Sequence, residues 1–256
     1  MATMVQESSA AAGKDSFYFR SAAAMAIIVV AGFSMQWAMG RSTFAARPLV
    51  HVHALIFMTW VGIFVAQSWF ASNGSAALHR RLGQLAAVWT LAMILLGFWI
   101  TIDVIQRGTA PFFFQPQHFL IANPVNVLCF AVLIAAALKM RRRRDWHMRL
   151  QLCAMASILG PAFGRLLPMP LLGAHAWDIA LLCGLAMPAV GMARDLRREG
   201  RVHPAWWWGI LGILAPILIA HLIAFSPLGD AIYAFVTSGH PGAAVDGLAF
   251  APPPTM

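Results

Sequence analysis

Seven apolar runs of about twenty residues constrain this chain more than any other feature; they cover residues 19–38, 51–71, 82–104, 118–139, 148–166, 176–192 and 205–225. A run of about 18 or more apolar residues is long enough to cross a bilayer as a helix. Backbone amides find no water in hydrocarbon, so such runs must bond internally. The composition agrees: 60% of the chain is hydrophobic and 11% charged, against about a quarter charged in a soluble domain. The expectation is an all-α, polytopic membrane protein with seven transmembrane helices and a central four-helix bundle made by spans two to five. A cytoplasmic N-terminal tail (1–18), the membrane domain (19–226) and an outer-side C-terminal tail (227–256) complete the division. The residues before the first run lack the basic, apolar, small-residue order of a cleaved signal, and the run itself is longer than a signal core. It reads as a retained first helix.

Basic residues set the orientation. Fourteen of the eighteen Lys and Arg fall on one side of the predicted spans, including Arg80, Arg81, Arg141 to Arg144, Arg149, Arg194, Arg197 and Arg198. Only Arg41, Arg47, Arg107 and Arg165 fall on the other, so the positive-inside rule places the N-terminus in the cytoplasm and the C-terminus outside. The net charge of +9 therefore reports topology and not nucleic-acid binding. Pro124, Pro161, Pro188 and Pro216 predict kinks. Trp206, Trp207 and Trp208 read as an interfacial belt. After residue 227 large apolar residues thin out, and composition favours a floppy tail over a lid. Cys129, Cys153 and Cys183 form no CxxC pair and read as inert core residues.

The nine histidines divide into two layers under this topology. His51, His53, His118, His175, His221 and His240 lie on the outer side; His79, His147 and His203 lie on the cytoplasmic side. Four of them open consecutive spans: His53, His79, His118 and His147. Adjacent spans are antiparallel, so one bundle can hold a histidine pair at each face. His51 and His53 sit about 200° apart on a helix and cannot both face one buried ion; His53 is the deeper. With Ser75 and Asp145 as caps, His79 sits a turn inside its helix and His147 barely inside. His221 follows a nearly unbroken apolar stretch, and an ionisable group at that depth is a functional candidate by default. His175, His203 and His240 read as loop residues. Spans three and five open with His-Arg-Arg-Leu (79–82) and His-Met-Arg-Leu (147–150), a weak internal echo.

Histidines opening four consecutive spans resemble the ascorbate-dependent two-haem cytochromes b, of ascorbate and ferric reductase type. The stretch His79-Arg80-Arg81-Leu82-Gly83 is similar to a box in largely uncharacterised bacterial membrane proteins with the same helical core. The likeness covers roughly residues 50 to 168. It implies haem b as cofactor, an outer ligand pair His53 and His118, an inner pair His79 and His147, and electron transfer across the bacterial inner (plasma) membrane. A quinone or other small reductant would then be a partner, beside the bilayer and a second membrane protein.

Asp103, Asp178 and Arg165 share one depth, and buried charge survives when paired, so an Arg165 contact with Asp103 or Asp178 is expected. Its functional counterpart is Arg165 holding a haem propionate or a substrate carboxylate. Two other functions fit the residues. One is an outer metal site of His51, His53, His118 and His221, taking Zn, Cu or Fe for metal binding or lipid-directed chemistry, with Asp178 able to join. The other is an accessory subunit without chemistry. No lysine in the seventh run could form a retinal Schiff base, and no phosphate loop or HExxH box occurs.

Overall fold

The computed structural model describes residues 16–252. Most of the expected N-terminal tail, with Lys14, and the closing residues 253–256 lie outside the described residues. The remainder is helical, with no strand among the described residues. In chain order the helices are α1 (Phe17–Ala38), α2 (Pro48–Ser72), α3 (Ala76–Gln106), α4 (Pro116–Lys139), α5 (Arg144–Ser157), α6 (Gly160–Leu166), α7 (Met169–Leu172), α8 (Ala176–Cys183), α9 (Ala186–Glu199), α10 (Pro204–Ala224) and α11 (Pro227–Thr237). Proline at the first position opens α2, α4, α10 and α11; its missing N–H would have no helical partner there anyway. Gly200 ends α9 at φ 68°, a left-handed conformation that costs glycine no steric clash.

Six segments of the described residues are long and apolar enough to cross a membrane: α1, α2, α3, α4, the stretch Met169–Glu199 and α10. Their outward faces are greasy. On α3, Val88, Leu91, Leu95 and Trp99 are all more than half exposed at helical spacing, as are Trp207, Trp208, Leu211, Leu218 and Leu222 on α10. A soluble monomer does not present stripes of this extent to water. These features point to a multi-pass protein in a lipid bilayer.

The fifth run is not one uninterrupted helix. Pro161 has no N–H to give the carbonyl of Ser157 four residues back, and α5 ends at Ser157. The sixth run breaks in the same way, between Cys183 and Ala186, with Pro188 four residues after Gly184. Pro124 and Pro216, by contrast, sit inside α4 and α10 without ending them.

Helix α4 is the centre of the packing. It touches α3, α5 and α10, while α2 packs on α3, and α1 packs on α2 and α6. Its buried residues run along much of its length, including His118, Asn126, Phe130 and Ile134. Small residues permit the closest approaches. A Cβ on Gly209 of α10 would collide with Cys153 of α5, and one on Gly32 of α1 with the backbone of Ala162 on α6.

The segment after residue 227 is not the floppy tail that its composition favours. Helix α11 docks on α3, α4 and α10. Gln117 then clamps the end: its N–H donates to the Gly247 carbonyl at 2.8 Å, and its Nε2 donates to the Ala224 carbonyl and to Asp230 Oδ1, each at 2.7 Å. Tyr233 donates to the Val245 carbonyl at 3.1 Å. Burial, with the nearby Asp246 charge, pushes the Tyr233 hydroxyl above its ordinary pKa, so it stays a donor. Few but well-placed apolar residues on one face of an eleven-residue helix suffice for docking, and bulk composition cannot register their placement.

Candidate metal and cofactor centres

The starts of α3 and α5 are built alike. Ser75 is the N-cap residue of α3, and the His79 N–H donates to its carbonyl at 2.9 Å. Arg143, not Asp145, is the N-cap residue of α5, and the His147 N–H donates to its carbonyl at 3.0 Å. Both histidines therefore occupy the same position, one turn into their helices, and His147 is deeper than the sequence suggests. Each ring also reaches back to the helix before its own. His79 Nδ1 lies 3.3 Å from the Gln67 carbonyl on α2, and His147 Nδ1 lies 2.8 Å from the Ala137 carbonyl on α4. A carbonyl can only accept, so both Nδ1 atoms carry the hydrogen and both Nε2 atoms are left with free lone pairs when the rings are neutral. The two half-buried rings stand 6.2 Å apart, centroid to centroid, with their planes at 90°.

The opposite end holds the other two span-opening histidines, but in separate surroundings. His53 stacks on Phe57 at 4.3 Å, and its Nδ1 is buried with no hydrogen-bond partner. His51 is exposed and lies 3.1 Å from the Phe44 carbonyl. His118 is 5% exposed, with a buried, unpartnered Nε2. Its ring neighbours are His221 at 4.9 Å, Phe225 at 5.7 Å and Trp177 at 6.2 Å. His118, Asp178 and His221 present ligand atoms that all lie within 4.8 Å of one another. Neither His53 nor His51 belongs to this group.

Arg165 does not make the expected contact with Asp103 or Asp178. Asp103 is engaged by Arg47 and by Arg107 at 3.0 Å, and Asp178 lies 3.5 Å from His221. Arg165 instead lies over the Phe33 ring at 4.0 Å, donates to the Pro161 carbonyl at 2.8 Å, and keeps a buried Nε without a partner. No carboxylate pairs with it among the described residues. Both aspartates already have other partners, and α6, which starts after the break at Pro161, packs on α1 as well as on α8, so that Arg165 meets Phe33 of α1.

Several residues read as loop or belt features proved structural. Arg149, counted with the basic loop, is 4% exposed and forms a two-pronged bridge to the fully buried Asp195, at 2.8 and 2.9 Å. Trp206 turns inward from the tryptophan cluster and donates to the same carboxylate at 2.7 Å. His203 accepts from the Ala205 N–H as the cap of α10 and pairs with Asp145 at 2.8 Å. Asp195 is one of two acids, with Glu199, in a stretch rich in arginine, but nothing in the sequence reveals that it faces inward. His175 and His240 are exposed, as loop residues should be.

No protein-family model, no curated protein and no solved structure matches this chain.

Proposed function

We propose that this chain is a membrane-embedded electron carrier of cytochrome b type, with a haem held between His79 and His147. The observation that carries the reading is their shared geometry. Metal–imidazole bonds of about 2 Å on each side, with the half-width of each ring added, put two imidazoles on opposite sides of one ion about 6 Å apart, centroid to centroid. An ordinary edge-to-face ring pair also falls in this range. What favours ligation is that both Nδ1 atoms are already committed to backbone carbonyls, the outer-shell bond that fixes the tautomer of a metal-binding histidine. Symmetry adds weight, since the α2–α3 and α4–α5 hairpins supply the same ligand from the same helix position.

A bis-imidazole haem supplies a reversible one-electron couple, tuned by its axial ligands and by the dielectric around it. The Gln67 and Ala137 carbonyls hold the two rings in place. The apolar helices around them exclude water and lower the local dielectric. At the far end, His53 and Arg165 carry the unpartnered nitrogens available to a second anionic group or reductant.

The topology that goes with this reading takes α5 and α6 together as the seventh crossing and α2 to α5 as the central bundle. Supporting it, α5 begins beside the start of α3, whereas α6 packs on the second half of α1. The basic residues then lie in the cytoplasm of a bacterial-type cell, at the end that carries His79 and His147. The C-terminal segment lies outside. A quinol or another small membrane-soluble donor is the partner this placement suits.

The test is an oxidised and a dithionite-reduced absorption spectrum of detergent-purified protein from haem-replete cells, with a pyridine haemochrome count. We expect sharp reduced α and Soret bands and a count near one. Both H79A and H147A should lose the bands while eluting as the parent does, and H53A should keep them. A featureless parent spectrum would falsify the reading and leave an accessory, non-redox subunit in its place.

A further inference from the structure

The second histidine centre has its own chemistry. His221 lies in α10, with Nδ1 2.9 Å from the Ile217 carbonyl one turn back. That nitrogen must carry the hydrogen, which leaves the Nε2 lone pair of the neutral ring directed at Asp178 Oδ2, 3.5 Å away. Two acceptors facing each other require a cation between them. A proton on His221 would satisfy that pair alone. It would leave the buried Nε2 of His118 and the buried Oδ1 of Asp178 without partners, as both now are. Unpartnered buried polar atoms are costly, and two of them beside a facing pair of acceptors are not explained by one proton.

We propose that His118, Asp178 and His221 bind one divalent transition-metal ion of the zinc class. Two imidazoles and a carboxylate make a three-ligand set of the kind that leaves a coordination position open to an exchangeable ligand. The Ile217 carbonyl orients His221 as an outer-shell partner. Phe225 and Trp177 wall the His118 ring from solvent.

The open position faces an apolar groove. Asp178 and His221 line a groove of about 550 Å³ between α8 and α10, whose remaining walls are Ile179, Leu182, Leu214, Ile217 and Leu218, with His175 at its edge. His118 closes the site from behind, since it does not line the groove. An exchangeable ligand would thus arrive laterally from the bilayer as the polar head of an amphiphile, with its chain along the leucines. The site is separate from the His79 and His147 centre and does not depend on the haem reading.

The experiment uses the full chain in detergent, stripped with a chelator, titrated with zinc and desalted, with metal counted by elemental analysis. Cobalt(II) serves as the optical probe in protein prepared without haem. Expected are about one zinc per chain and visible cobalt ligand-field bands. H221Q and D178N should each weaken binding at least tenfold, while H175N, at the rim of the groove, should bind as the parent does. Elution volume on size exclusion certifies the fold, and if one variant misfolds the other carries the comparison. Absence of saturable zinc in the parent, or undiminished binding in a folded H221Q or D178N, overturns the proposal. H79A should retain the zinc even as it loses the Soret band. A chain with zinc and no haem, or with haem and no zinc, therefore separates the two readings.

Discussion

Arg149 shows what a single residue can hide in a protein of this kind. By sequence it belongs to a basic loop; in the fold it is buried against Asp195, Trp206 and the Glu199 carboxylate at 3.2 Å. Removing one partner from a buried ion pair leaves the other charge in a low-dielectric site, typically a loss of about 3–5 kcal/mol. We therefore expect D195A to lower the thermal unfolding midpoint in detergent steeply. The double variant R149M/D195L should recover part of the loss, because Arg149 is no longer stranded, while the Trp206 N–H still lacks its acceptor and Arg194 its carboxylate 3.5 Å away. Equal damage in the single and double variants would show that shape, not charge, governs the site. Arg165 presents the converse case, a guanidinium without a carboxylate partner among the described residues, and it lies on α6, just after the break at Pro161.

At the scale of elements, contacts between small residues decide how closely the helices approach. The helices are apolar on most faces, and lipid tails are as apolar as leucine, so association depends on shape and dispersion more than on a hydrophobic drive. Gly209 lets α10 lie directly on Cys153 of α5. A valine there must push the helices apart or strain its rotamer, at a cost of roughly 1–3 kcal/mol. The expected result for G209V is a lower unfolding midpoint that C153A in the same chain partly restores. No restoration would place the strain elsewhere than at this contact. The breaks after Ser157 and near Gly184 arise from prolines four residues on, whereas Pro124 and Pro216 leave α4 and α10 continuous. Proline position predicts where a carbonyl is freed, but neighbouring helices decide whether the helix ends there.

At the scale of the whole molecule, the two ends are built differently. One end gathers the basic residues, the Arg149 network and the paired His79 and His147 rings. The other is closed by α11 and the residues after it, tied to Gln117 of α4. Truncation after Ser226 deletes Asp230, Tyr233 and the Gly247 carbonyl, and with them hydrogen bonds worth about 0.5–1.5 kcal/mol each. The truncated chain should unfold several degrees earlier, at about 2–4 °C per kcal/mol for a chain of this size. Haem at His79 and His147 should persist, because that centre sits at the far end. Loss of the Soret band on truncation would show that the two ends communicate.

Much of this architecture is legible in the residues alone. Hydropathy and run length are properties of short segments, so the membrane class, most helix positions and the placement of His79 and His147 near helix starts could be read before any fold was known. What the sequence left open was rotation and partnership. A helix that is apolar on every side carries little information about which face turns inward. Only packing decided that Trp206 points in while Trp207 and Trp208 point out, that Asp103 takes Arg47 and Arg107 in place of Arg165, and that His118 meets His221 and Asp178. His79 and His147 lie 68 positions apart in the sequence, and they meet because α3 and α5 both pack against α4. Such meetings are set by the sum of many contacts across the fold, which no local pattern encodes.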